Sequence, residues 1–99
     1  MSVTQLTRFK GGKPEEMIKA AKQAKAHWEK QGAEYVGFSR IHTGSWTGQW
    51  LYLVRFPNWT AMGKAQDAIS QDADFQKLLA HVLTMAEIVG RTTTIGVDL

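Results

Sequence analysis

Apolar positions along the chain change their period several times, and each change marks an element. The opening "SVTQLTRF" is rich in β-branched residues and reads as a strand, which "KGGK" breaks. Met17, Ala21, Ala24 and Trp28 then recur at helical spacing as a narrow stripe. Pro14 suits the first helical position, Glu15 and Glu16 suit the first turn, and Gly32 suits the end. A helix is therefore predicted over residues 14–31. "AEYVGFSRIHT" and "GQWLYLVRF" read as two strands around a "GSWT" tip, and Pro57 stops the second. Asn58 is a fitting N-cap for "WTAMGKAQDAIS", whose Trp59, Met62, Gln66 and Ile69 fall near one face. "QDAD" interrupts the pattern, and Asp72 or Asp74 is placed to cap a second piece, "FQKLLAHVLTMA". Its apolar positions include Phe75, Leu78, Leu79 and Val82. The last segment, "EIVGRTTTIGVDL", is a β-branched strand running to the C-terminus.

The order is β-α-β-β-α-β with the second helix broken in two. Two successive β-α-β units with right-handed crossovers give an α+β, ferredoxin-like fold with an antiparallel four-stranded sheet. Strands one and three lie centrally, and both helices cover the same face. No linker, low-complexity tract or repeat divides residues 1–99, so one domain is expected.

An even-length loop at residues 44–47 pairs Thr43 with Gly48 and sets the faces of the hairpin. Tyr35, Gly37, Ser39, Ile41, Trp50, Tyr52, Val54 and Phe56 then face the helices. Val36, Phe38, Arg40, His42, Gln49, Leu51, Leu53 and Arg55 face away. An odd loop would exchange the faces. On the outward face Phe38, Leu51 and Leu53 form an apolar patch beside Arg40. Each buried Leu or Phe is worth roughly 1.5–3 kcal/mol, so a second copy of the sheet is expected over them. Two sheets packed face to face make a two-fold homodimer. The long last strand needs protection at its edge and is expected to reach across to the neighbour.

Charge changes this picture little. The net charge is +3, and much of the basic excess is Lys19, Lys22, Lys25 and Lys30, interleaved with Glu15, Glu16 and Glu29 on one helix. That is the pattern of a solvated face and not of a nucleic-acid site. The chain has no cysteine, and it has no apolar stretch that resembles a signal peptide or a membrane span. A cytoplasmic protein without membrane contact is the expectation.

The run "WLYLVRFPNWTAMGKAQDAISQDADFQKLLA" resembles the matching stretch of dimeric α+β barrel proteins, with NIPSNAP-like and related small domains among them. There an aromatic-ended strand, a helix and an acidic "D-x-x-F/W" step follow in that order. The resemblance implies a homodimeric barrel with a pocket in each subunit between sheet and helices. Relatives include haem-degrading monooxygenases, cofactor-independent quinone-forming monooxygenases and lactone isomerases, so fold leaves the chemistry open. The haem-degrading pattern fits poorly. Trp59 is a match for its tryptophan, but the position four residues after Phe75 is Leu79, and His81 lies about 200° further round the helix. Strand one has Gln5 where that pattern has an asparagine.

No cofactor site is expected. The three histidines have no metal-ligand spacing, "GFSRI" is not a nucleophile elbow, and "GSWTG" is not a phosphate loop. In an RNA-recognition reading of strand three the stacking positions are Leu51 and Leu53, which have no π-face. His42 reads as an interface polar residue or a proton carrier. The helix-side aromatic residues are core, or they bound a pocket for a small hydrophobic or aromatic molecule. Tyr35, Trp50, Tyr52 and Trp59 are the candidate walls. Cofactor-independent oxygenation or isomerisation would use Tyr35, Tyr52 or His42 to carry a proton; the alternative is a non-catalytic interaction or ligand-sensing dimer. Trp46, at the hairpin tip, is a candidate dimer contact or pocket-mouth residue, against a plain exposed tip.

Overall fold

The computed structural model describes residues 1–99. Strand β1 (Val3–Gly11) leads to α1 (Pro14–Lys30), then to the hairpin β2 (Tyr35–Arg40) and β3 (Trp50–Phe56). Helices α2 (Trp59–Ser70) and α3 (Ala73–Val82) follow, and β4 (Ala86–Ile95) closes the order. The sheet is four-stranded and antiparallel, in the order β2-β3-β1-β4, which puts the first and third strands at its centre. This is the ferredoxin-like arrangement expected from the element order, with its second helix in two pieces.

Local signals place the ends of the helices. Pro14 opens α1 with Glu15 and Glu16 in its first turn, and Gly32 follows its end at φ +94°. The Asn58 side chain accepts the Ala61 N–H at 2.8 Å, and the Asp72 carboxylate accepts that of Phe75 at 3.1 Å. Each carbonyl or carboxylate oxygen satisfies a donor that a helix start leaves unpaired.

The hairpin register differs from the expected one by a single residue. Phe38 pairs with Tyr52 and Val36 with Val54, while Ile41 exchanges backbone bonds with the Gln49 carbonyl and the Gly48 N–H, each at 2.8 Å. The connection spans residues 42–48, an odd number, because Gly44 and Gly48 take positive φ and Thr47 closes an inner turn onto the Gly44 carbonyl. The faces of β3 stand as expected, and those of β2 are reversed. Phe38 and Arg40 share the helix side with Trp50 and Tyr52, and Tyr35 shares the outer side with Leu51, Leu53 and Arg55.

Parity at the centre of the sheet comes from β1. Val3 pairs with Phe56, both have no exposed surface, and Gln5, Thr7 and Phe9 follow on the same face. Trp28, Tyr52, Val54, Met62, Ala65 and Ile69 complete the main core with Val3 and Phe56, and Met17, Ala20, Trp50 and Val82 form a second cluster. No residue of β4 is fully buried, and its Ala86 packs half-buried against the second cluster.

Phe56→Ala is expected to cost about 3–5 kcal/mol in urea unfolding, because it empties the best-covered site in the core. Asn58→Ala should cost only about 1 kcal/mol, the value of a lost helix cap. Equal losses would place the main core elsewhere.

Candidate functional site

Between the sheet and the helices lies a cavity of about 460 Å³. Its floor is Gln5, Thr7 and Phe9 of β1, with Tyr52 and Val54 of β3 and Phe38 of β2 beside them. The roof follows from side-chain size: α1 presents Ala20, Ala21 and Ala24 there, flanked by Met17 and Trp28. Three alanines in a row on the inner face leave room that larger residues would close. Gln66, Ile69 and Ser70 of α2 and Phe75, Gln76, Leu78, Leu79 and Val82 of α3 form the far wall. Arg91 of β4 stands at the uncovered side of the sheet.

The break between α2 and α3 shapes one rim. Asp72 caps α3 and also meets Nδ1 of His27 at 3.0 Å, tying α1 to the break. Phe75 then lies edge-on to Trp28 with ring centroids 5.7 Å apart, and to His27 at 5.6 Å. The backbone N–H of Phe75, then the hydrogen bond and charge of His27, hold the Asp72 carboxyl below its ordinary range.

Tyr52 is the one expected pocket residue that lines the cavity. Its hydroxyl donates to the Ala21 carbonyl at 3.2 Å. Burial, and secondarily the negative charge of Glu29, push the phenol well above its ordinary range, so it stays neutral at physiological pH. Trp50 is buried behind the wall. It stacks on Phe38 with centroids 5.0 Å apart and rings nearly parallel, and its indole donates to the Gly11 carbonyl at 3.0 Å. Trp59 stands at the start of α2, 51% exposed, away from the cavity. Tyr35 lies on the opposite face of the sheet, its ring over Gly37 and under Arg55. His42 belongs to the exposed hairpin connection beside Arg40, Thr47 and Gly48. Of the three candidate proton carriers, then, the cavity receives only Tyr52.

The outer face is also rearranged. Leu51 and Leu53 remain there, and Leu6 of β1 joins them opposite Leu53. Phe38 leaves the patch for the cavity wall, and Arg40 leaves it for the edge, its guanidinium 4.6 Å from the Trp50 ring centre. Trp46 folds against this face: the Arg8 guanidinium sits 3.9 Å from its ring centre and donates to Gln49 at 2.8 Å. Gly90 makes room, since a Cβ there would collide with the Arg8 guanidinium.

Solved structures share this fold. A mutant of SnoaB, a cofactor-independent oxygenase from Streptomyces nogalater, matches over 99% of this chain and 95% of its own at TM-score 0.76 and 14% identity. A NIPSNAP family protein from Agrobacterium tumefaciens str. C58 matches over 100% and 94% at TM-score 0.72 and 9% identity. A putative antibiotic biosynthesis monooxygenase from Bordetella bronchiseptica matches over 98% of both chains at TM-score 0.69 and 16% identity. No family model and no curated protein sequence matches the chain. The chain has the ferredoxin-like fold of these structures. At these identities the likeness is one of fold.

Several cavity residues were not expected among its walls. Phe38 was hidden by the one-residue register. Arg91 was hidden by a bulge: Phe9 pairs with Ile88 and Arg8 with Gly90, so Ile88 and Arg91, three apart, share the helix face. Gln66, Leu79 and the His27–Asp72 contact depend on how α1, α2 and α3 meet, for which the sequence holds no local signal.

The lowered Asp72 carboxyl makes stability pH-dependent. A depressed folded pKa contributes stability that is complete above the unfolded value, ordinarily 3.8, and lost as pH falls through the folded one. Asp72→Asn keeps the cap but removes the charge. Its Tm is expected to fall less than that of the wild type on acidification below that value, read by circular dichroism; unchanged acid sensitivity would mean that other carboxyls govern it.

Proposed function

We propose that the protein is a homodimer that holds a small hydrophobic or aromatic molecule between sheet and helices in each subunit, and that its chemistry is cofactor-independent oxygenation. The observation that carries the binding reading is the cavity itself, roomy and mainly apolar, with Phe38, Trp28 and Phe75 in its walls. Aromatic edges and faces at this spacing suit a flat apolar body.

The walls contain no histidine, carboxylate, lysine or cysteine. The Tyr52 hydroxyl donates a hydrogen bond to the Ala21 carbonyl and remains a phenol. The side chains of this cavity therefore bind and orient, and proton loss falls to the substrate's own acidity. Cofactor-independent oxygenation suits such walls, because a substrate acidic enough to lose its proton to solvent before it enters arrives as a stabilised carbanion and can give electrons to dioxygen itself. The cavity's part is to hold that substrate away from bulk water. The fold shared with an oxygenase that needs no cofactor supports this reading.

The dimer reading rests on the outer sheet face. Leu6, Leu51 and Leu53 lie together there, with Arg8, Arg55 and Trp46 around them. A second copy related by a two-fold axis would cover the leucines. The Arg55–Glu34 pair, 3.6 Å apart, offers both signs of charge at the rim for a symmetric contact.

Native mass spectrometry of protein taken directly from its own cells tests both halves at once. A dimer with a retained apolar molecule is expected. Leu53→Glu should give a folded monomer in light scattering at micromolar concentration, and Trp46→Ser should weaken association more than folding. A wild-type monomer at that concentration would end the assembly reading, and a cavity that retains and binds no apolar compound would end the functional one.

A further inference from the structure

The cavity contains one charge, and that charge is unpaired. Among its polar walls Gln5, Thr7, Gln66, Ser70 and Gln76 are neutral, and Arg91 alone is ionised. The chain has three other arginines, and each is engaged. Arg8 meets Gln49 and Trp46, Arg40 meets the Gly48 carbonyl and Trp50, and Arg55 meets Glu34 and Tyr35. The Arg91 side chain makes no hydrogen bond, ion pair or ring contact within the chain. Its strand neighbour Glu87 offers no help, since it pairs with Lys10 on the outer face.

The register puts further donors beside it. Arg91 pairs directly with Thr7, so their Cβ atoms are about 5 Å apart, and Gln5 lies on the same face two residues along. Gln66 donates to the Gln5 carbonyl oxygen at 3.4 Å, which turns the two amides toward each other and leaves the Gln5 –NH2 group without a partner. The Thr7 hydroxyl is likewise unpartnered. A guanidinium, an amide and a hydroxyl thus converge on one side of an otherwise apolar chamber, with no carboxylate in its walls to neutralise them.

We propose that Arg91, with Gln5 and Thr7, is the binding site for an oxyanion on the ligand. The ligand is then an apolar or aromatic body carrying one acidic oxygen function, a carboxylate or an enolate. A planar guanidinium matches either, and a carboxylate takes it in two parallel hydrogen bonds. Arg91 stands at the open side of the cavity, so the body enters first and the anion remains near the mouth. This inference rests on the reading that the cavity binds a small molecule, and it names the class of molecule.

The test is a matched pair of probes in isothermal titration. 2-Naphthoate carries the anion and 2-naphthamide is its neutral counterpart. 2-Hydroxy-1,4-naphthoquinone, as its enolate, and its neutral methyl ether make a second pair. Arg91 is solvent-exposed and its charge partly screened, so about tenfold tighter binding of the anion is expected in one pair or both. The pair with the larger ratio identifies the anion as carboxylate or enolate. Arg91→Gln should remove about that tenfold from the anion and leave the neutral probe within about twofold, and Arg91→Lys should restore part of it. Raising the salt concentration should weaken only the anion. Ala24→Phe, which fills the roof, should abolish all binding and so place it in the cavity. Equal affinities for anion and neutral probe, or an equal loss of both in Arg91→Gln, would overturn the anion site while leaving the cavity as a binding site. Failure of the folded wild type to bind any probe would overturn both readings together.

Discussion

Val3 and Phe56 face each other across the β1–β3 ladder with no surface exposed, and this contact sets the side of every residue at the centre of the sheet. Strand side chains alternate strictly, so burying this pair also turns Gln5, Thr7, Phe9, Tyr52 and Val54 toward the helices. The same alternation sends Leu6, Leu51 and Leu53 to the opposite face. One helix layer covers only one of these surfaces. A molecule of this size thus has a covered face with a chamber in it and an open face with leucines on it, both consequences of one ladder.

The chamber exists because the helix layer fills its share of the space incompletely. Ala20, Ala21 and Ala24 present little volume to Tyr52 and Val54 below them, and the helix break at Asp72 redirects α3 so that Phe75 and Leu79 form a wall instead of a plug. Native cores seldom leave space of this kind without use, since dispersion contacts are lost along every wall. The aromatic contacts of Trp28 with Phe56 and Phe75 and the His27–Asp72 tie hold the rim apart and offset part of that loss. Arg91 then supplies the one charge at the mouth.

The order of elements was readable in the sequence because its signals are local. Pro14, Gly32, Asn58 and Asp72 each act within one turn of helix, and the β-branched runs declare strands without reference to partners. The inward face of β3 was readable as well, from Trp50, Tyr52, Val54 and Phe56 in alternation. Tyr35 and Phe38 changed places because the parity of β2 depends on how many residues the hairpin connection uses, and Gly44 and Gly48 allow an odd count. Trp59 reads as part of an apolar stripe, yet the stripe that is buried runs through Met62, Ala65 and Ile69 and leaves Trp59 at the exposed start of α2.

Residue types and their short-range periods therefore determined the ferredoxin-like fold, the broken second helix and the inward face of the third strand. Tertiary structure alone decided which of those inward residues border empty space. Cavity walls are chosen by the distances between elements remote in sequence: α1 above β1, α3 beside Trp28, β4 shifted by a bulge at Arg8 and Phe9. No local rule carries those distances, because each is the result of packing side chains from several elements at once. Arg91 shows the difference most plainly, a residue that reads as one charge in a β-branched strand and becomes, across from Thr7, the only charge in the chamber.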